Sequence, residues 1–224
     1  LKRMFDVNIL GTFNLLEACR VKKIKKIIFS SSIKVYGEGD EAFKESDPLL
    51  CRTFYGASKI SCEQMFRAYY CIYNLKYIAL RYSFVYGPIL NQNIYDDSFF
   101  KKTLDRIDQG SPPEIYGDGN QVLDYIYIDD AIRASILALC SDFENVTYNV
   151  CSSKRTTILE LCSIMLELKS SHLKPHFLPA DDIEIRVKVA DNDLIKKELG
   201  FEPTIDFREG IKKIIEWRKN NFRI

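Results

Sequence analysis

The stretch KKIIFSSSIKVYG, residues 25–37, decides the fold. Its first half, KKIIFS (25–30), is a short apolar run after two lysines, which reads as a strand buried in a parallel sheet. Its second half opens with three serines. In an open parallel sheet, ligands bind beyond the carboxyl ends of the strands. Ser30, Ser31 and Ser32 therefore leave the strand pointing at the crevice where a substrate would lie.

Upstream, residues 4–21 carry Phe5, Ile9, Phe13, Leu16 and Cys19 at helical spacing. Downstream, residues 38–54 are a polar loop with Pro48, and a long helix is expected from Tyr55 to Tyr73. LKYIALRYSFVYG (75–87) reads as a strand running into a loop closed by Gly87-Pro88. A helix over 98–110 ends at Gly110 and Pro112-Pro113. GDGN (117–120) is a turn, QVLDYIYI (121–128) alternates like a strand, and Asp129-Asp130 caps the helix that follows. VTYNVC is a short strand before a helix over 157–168. EIRVKVAD is another strand, and helices are expected near 191–199 and 207–219, the latter burying Trp217 with Ile211, Ile214 and Ile215. Strands alternating with helices give an α/β chain with a right-handed, doubly wound parallel sheet.

Composition excludes several functions. The chain has 224 residues, 46% hydrophobic and 28% charged, with a net charge of +1. That balance implies no general attraction to nucleic acid or to an acidic membrane. No run of apolar residues is long enough to span a bilayer. The seven cysteines are scattered and include no C-x-x-C, which reads as buried thiols in a reducing compartment, and no metal site is expected. The tyrosines at 69, 70, 73 and 77 read as packing residues, and Asp96-Asp97 as a loop pair.

Tyr55 and Lys59 stand at i and i+4, on one face of one helix. An ammonium beside a phenol favours the phenolate. With a serine hydroxyl reaching the same substrate oxygen, the trio can move a proton for an alcohol–ketone interconversion. Tyr55/Lys59 is the only Y-x-x-x-K in the chain. On its own it also fits an exposed helical pair.

The ordered blocks NILGTFNLLEA (8–18), FSSSIKVYG (29–37), YGASK (55–59), LRYSFVYGP (80–88), YGDGNQVLDYIYIDD (116–130), YNVCSS (148–153) and KELGFEPTIDFREGIKKIIEW (197–217) carry more weight. In that order the chain resembles the extended short-chain dehydrogenase/reductase family, in its NAD-dependent sugar-nucleotide epimerase/dehydratase branch. The resemblance implies a Rossmann-type sheet lacking its N-terminal strands, with a smaller α+β substrate domain. The NAD-binding half would be residues 1–88 with about 118–150, and the substrate half 89–117 and 151–224. It implies Tyr55 as acid and base, Lys59 as its activator and nicotinamide-ribose ligand, and Ser32 as the hydrogen-bond partner of the sugar hydroxyl. Asn8, Ser30, Tyr82 and Ser83 would line the nicotinamide half of the NAD site. Ser31 would be local structure, and Tyr36 would belong to the strand-exit turn. The activity implied is epimerisation of a nucleotide-diphosphate sugar by transient oxidation to a keto-sugar. The setting implied is a cytoplasmic homodimer paired through helices 4–21 and 55–73.

The departures matter as much. The family's G-x-x-G-x-x-G loop is absent and the chain opens inside a helical pattern. It reads as the downstream part of a longer protein, without the adenosine half of the cofactor site. The family's dehydratases carry two carboxylates, and its decarboxylases one, where Ile33 and Lys34 stand, which disfavours both reactions here. Phe84 and Leu123 replace an asparagine and an arginine of the substrate-binding set. Leu178, Pro179 and Ala180 stand where a further arginine precedes the acidic pair Asp181-Asp182. Lys34, Arg155 and Arg186 are the candidate replacements as diphosphate partners. The alternatives are a dehydratase, decarboxylase or keto-sugar reductase on the same scaffold, or a silent fragment.

Overall fold

The computed structural model describes residues 1–88, 99–180 and 187–221. Its centre is a three-stranded parallel sheet in the order β1 (Lys26–Ser32), β2 (Lys76–Tyr82), β7 (Val146–Val150). The register runs Ile28 against Ile78 and Ile78 against Val146. Side chains alternate between the sheet's faces. Ile27, Phe29, Tyr77 and Ala79 pack with Leu16, Cys19 and Phe66 on one side. Ile28, Ile78, Leu80, Tyr148 and Val150 pack with Ala131, Ala134 and Ala138 on the other. Both faces are covered, which explains the unbroken apolar runs in these strands.

The helices carry their own start and stop signals. α3 (Phe54–Tyr73) begins where the Thr53 hydroxyl accepts the Gly56 amide proton at 3.1 Å. It ends at Asn74 in the left-handed conformation, φ 54°. α6 (Ile158–Leu168) is capped by Thr157, whose hydroxyl accepts from the Glu160 amide. The first helix is less regular. α1 (Lys2–Met4) and α2 (Gly11–Val21) are joined by a π-helical stretch, Phe5–Leu10, in which the Gly11 amide reaches back to the Asp6 carbonyl. Its inner side is Met4, Asn8, Thr12, Leu16 and Cys19. Phe5 and Phe13, expected on the core face, are instead 56% and 44% exposed.

The two expected strands 75–87 and 121–128 are each broken in the middle. β2 gives way at Ser83 to β3 (Phe84–Tyr86), which pairs in parallel with β6 (Tyr125–Tyr127). The second break is Asp124, between β5 (Val122–Leu123) and β6. Its buried carboxylate accepts the Ser152 and Ser153 amides and the Ser152 hydroxyl, clamping the turn after β7. Burial outweighs those bonds and raises the Asp124 carboxyl to about 6. β5 lies between β10 (Val187–Lys188) and β8 (Thr156–Thr157), and β4 (Glu114–Tyr116) pairs with β9 (His176–Leu178). A second core joins α4 (Phe99–Asp108), α6 and α8 (Phe207–Asn221) around Tyr86, Tyr125 and Tyr127. Trp217 is half-buried rather than fully buried. Asp96, Asp97, Asp181, Asp182 and Arg186 lie outside the described residues, as does the first part of the EIRVKVAD strand.

α5 (Ile128–Cys140) starts after Tyr127 with no side-chain cap, so Asp129-Asp130 is not its N-cap. Asp130 is buried in the first turn and looks outward from its own helix. It accepts the amides of Thr204 and Ile205 and the Thr204 hydroxyl, and it pairs with Arg133 at 2.7 Å. Burial pushes its carboxyl up, but these donors outweigh burial and hold it below the ordinary range. Asp130→Ala would leave buried donors without an acceptor, at a cost of about 2–4 kcal/mol in urea unfolding. Because the folded-state carboxyl is depressed, its contribution is present above the unfolded value of about 3.9 and is lost as pH falls through the folded value. The gap between wild type and Asp130→Ala should therefore close below about pH 4.

Candidate functional site

At the carboxyl ends of β1 and β2 lies a cavity of about 440 Å³. Ser30, Ser32, Lys34, Tyr55, Lys59, Tyr82, Ser83 and Phe84 all line it, with Ser31, Ile33 and Val85 completing the wall. Eight residues singled out from sequence thus converge on one space. Asn8 and Leu123 are not among the cavity's lining residues. Asn8 sits in the π-helical stretch and donates to the Ser58 hydroxyl at 2.9 Å, which in turn donates to the Tyr55 carbonyl. Leu123 packs against the second core. Arg155 spends its guanidinium on the Asp40 carbonyl, away from the cavity.

Local structure explains the aim of each group. The Ser32 hydroxyl accepts the Lys34 amide at 3.2 Å, capping the 3-10 turn Ile33–Val35. That turn swings the Lys34 side chain into the cavity. A side chain at Gly56 would collide with the Lys34 carbonyl oxygen, so the first turn of α3 lies directly on the turn after β1. Tyr55 is thereby set opposite Ser32. The Lys59 ammonium, one helical turn on, donates to the Ser30 carbonyl at 2.8 Å and lies 5.6 Å from the centre of the Tyr55 ring.

The balance on Tyr55 differs from the expected lowering by Lys59. Burial pushes the phenol above its ordinary range, and its hydrogen bond with Ser32 only partly offsets this. Burial also lowers the Lys59 ammonium. The site as built holds a neutral phenol, the form that can donate a proton. The Tyr82 hydroxyl is engaged with Ser135 at 2.6 Å, leaving its ring to line the cavity. The Ser83 hydroxyl is buried at the cavity wall without a protein partner. A buried hydroxyl of that kind is an open hydrogen-bonding position for a ligand.

Beneath the cavity is a polar network that sequence reading missed. Glu63, two turns past Tyr55 on α3, takes the Arg81 guanidinium bidentately at 2.6 and 3.0 Å and accepts from the Ser31 hydroxyl. Arg81 also donates to the Tyr36 hydroxyl at 2.7 Å, which donates to Asn149. All five residues are buried. Tyr36 is pushed up to about 12, mainly by burial. It is a structural tyrosine of the strand-exit turn. The signal for Glu63 was weak: a lone acid at i+4 from Lys59 looks like a surface pair until its partner on β2 is seen.

The described residues contain no His/Cys/Asp/Glu group able to hold a metal, and no helix long and apolar enough to cross a membrane.

A family model described as NAD dependent epimerase/dehydratase family matches residues 2–151. A putative UDP-glucose 4-epimerase of Methanocaldococcus jannaschii is 34% identical, over 97% of this chain and 71% of that protein. A UDP-glucuronate 4-epimerase of Thermodesulfobacterium geofontis is 31% identical, over 98% of this chain and 67% of its own length. Among solved structures, the UDP-N-acetylglucosamine 4-epimerase of Methanobrevibacter ruminantium, in complex with UDP-N-acetylmuramic acid, superposes with a TM-score of 0.91. It is 34% identical, covering 97% of this chain and 70% of that one.

The network under the site sets a stability expectation. Glu63→Ala strands the Arg81 charge in a dry interior and should lower unfolding free energy by about 3–5 kcal/mol, read from denaturant midpoints.

Proposed function

This chain belongs to the NAD dependent epimerase/dehydratase family, and on that premise we propose that it epimerises a nucleotide-diphosphate sugar. The observation that carries the reading is the convergence of Tyr55, Lys59 and Ser32 on one cavity at the end of β1. Neither Ile33 nor Lys34 offers the carboxylate that water elimination or decarboxylation would need, which favours epimerisation over those reactions.

The groups present fit the nicotinamide end of NAD. Lys59 and Ser30 are within reach of each other, and the Ser83 hydroxyl offers an open hydrogen-bonding position. NAD, when bound, supplies hydride acceptance and return at the sugar carbon. The chain's own groups handle the proton. Tyr55 takes it from the sugar hydroxyl as the ketone forms and gives it back when the ketone is reduced. Burial favours the neutral phenol in the site as built, so Tyr55 must first release its own proton to solvent before it can act as base. Lys59, beside the ring, stabilises the phenolate that then accepts the sugar's proton. Ser32 holds the same oxygen throughout. Tyr82 and Phe84 give the keto-sugar an apolar wall against which to turn over. In this reading residues 1–88 with about 118–150 serve the cofactor, and 89–117 with 151–224 serve the sugar.

The seven cysteines are free thiols, which suits a cytoplasmic setting. Phe5, Val7, Leu15 and Phe54 stand exposed on α2, its π-helical extension and α3, which suits a homodimer paired through those helices. Light scattering should give twice the chain mass, and a monomer mass at micromolar concentration overturns that assignment.

Tyr55→Phe tests the mechanism. It should cut the rate of epimer formation by about 10²–10⁴-fold with little change in thermal stability. A variant within tenfold of wild type would show that the proton goes elsewhere.

A further inference from the structure

Lys34 brings a cation to the wall of the cavity. Its side chain enters the cavity beside Tyr55 and Phe84, with the ammonium 5.8 Å from one ring centre and 5.5 Å from the other. Among the described residues no carboxylate lies within ion-pairing distance of it. The nearest acid in sequence, Glu38, is engaged by Arg52 at 2.9 Å. Among the described residues that line the cavity there is no Asp or Glu, whereas two are lysines.

A second cation stands behind it. Lys188, on β10, is 4% exposed and donates to the carbonyls of Tyr36 and Gly37. Burial lowers its ammonium, Glu38 acts the other way, and the charge of Lys34 adds to the lowering. The Lys34 and Lys188 charges therefore act on each other, with Glu38 offsetting part of the effect on Lys188. An ammonium that faces a substrate cavity without a paired carboxylate is a ready partner for an anion. An anion delivered by the substrate would satisfy it.

The position says which anion. Lys34 follows Ser32 by two residues and shares the Tyr55 ring with Lys59, so it stands beside the carbon that reacts. The diphosphate hangs from the anomeric carbon, and its usual protein partner is a planar, bidentate guanidinium rather than a lone ammonium. Resting on the reading of the site as one that binds a nucleotide sugar, we propose that Lys34 receives a carboxylate carried by the sugar, so that the preferred substrate is a nucleotide-linked sugar acid. Phe84 supports the arrangement: it gives the lysine stem an apolar surface to lie along and leaves the ammonium as the polar group at that end of the site.

Calorimetric titration of the protein, with NAD supplied, tests this with two matched pairs. UDP-glucuronate against UDP-glucose places the carboxylate on the ring's terminal carbon. UDP-N-acetylmuramate against UDP-N-acetylglucosamine places it on a lactyl ether. Wild type should bind the acid at least tenfold more tightly in one of the two pairs. Lys34→Met should weaken that acid at least tenfold and leave its neutral partner unchanged, while Lys34→Arg retains the preference. Equal affinity for acid and neutral sugar in both pairs overturns the proposal, as does equal weakening of both by Lys34→Met, which would make Lys34 a diphosphate ligand. Chromatography of the products is read separately. If no nucleotide sugar is epimerised, the assigned reaction fails, while the binding ratios still decide the role of Lys34.

Discussion

The bidentate pair between Glu63 and Arg81 is the constraint on which the site depends. It joins α3 to β2, and through the Ser31 hydroxyl it reaches the end of β1. Those three elements supply Tyr55 and Lys59, Tyr82, and the serines. A hydrophobic interface would hold them together with less directional control, since apolar packing fixes distance more tightly than rotation. Two parallel N–H···O bonds fix both. Tyr36 and Asn149 then extend the same network to β7, so the three strands of the central sheet are pinned by polar contacts at the end where the cavity opens.

Much of this was legible in the chain because the relevant spacing is local. The i, i+4 relation of Tyr55 and Lys59 needs only a helix, and the serine run needs only a strand that ends. Thr53 and Asn74 mark the bounds of α3 by the chemistry of caps. What escaped was everything decided by partners far along the chain. The strands 75–87 and 121–128 look continuous in their alternation, but Ser83 and Asp124 break them because each serves a group elsewhere: the cavity wall and the 152–153 turn. Asp129-Asp130 has the look of a helix cap, and Asp130 turns out to hold the amides at 204–205. Asn8 and Leu123 were assigned to the site from their place in a motif, yet one bonds to α3 and the other packs in the second core.

The electrostatics of the cavity follow from what surrounds it more than from what lines it. Glu63 is close and offsets part of the lowering of Lys59, but its hydrogen bonds go to Arg81 and Ser31. Burial then acts on each group in the same direction, towards the uncharged form. The phenol is raised and the Lys59 ammonium is lowered. Proton transfer in such a place is less sensitive to bulk solvent than to the charge brought in by whatever binds.

The π-helical stretch at Phe5–Leu10 acts on the phase of its helix. Each residue of an α-helix turns the chain by about 100°, so residues four apart drift by about 40°. Met4, Asn8, Thr12 and Leu16 are spaced by fours and still share the inner side, because the wider turns take up the drift. One rod thus keeps a polar seam registered on α3, where Asn8 meets Ser58 and Cys62, while an apolar seam faces away. Regular α-helical turns through Phe5–Leu10 would carry Asn8 off Ser58, so the wide turns are what lets one rod serve both seams.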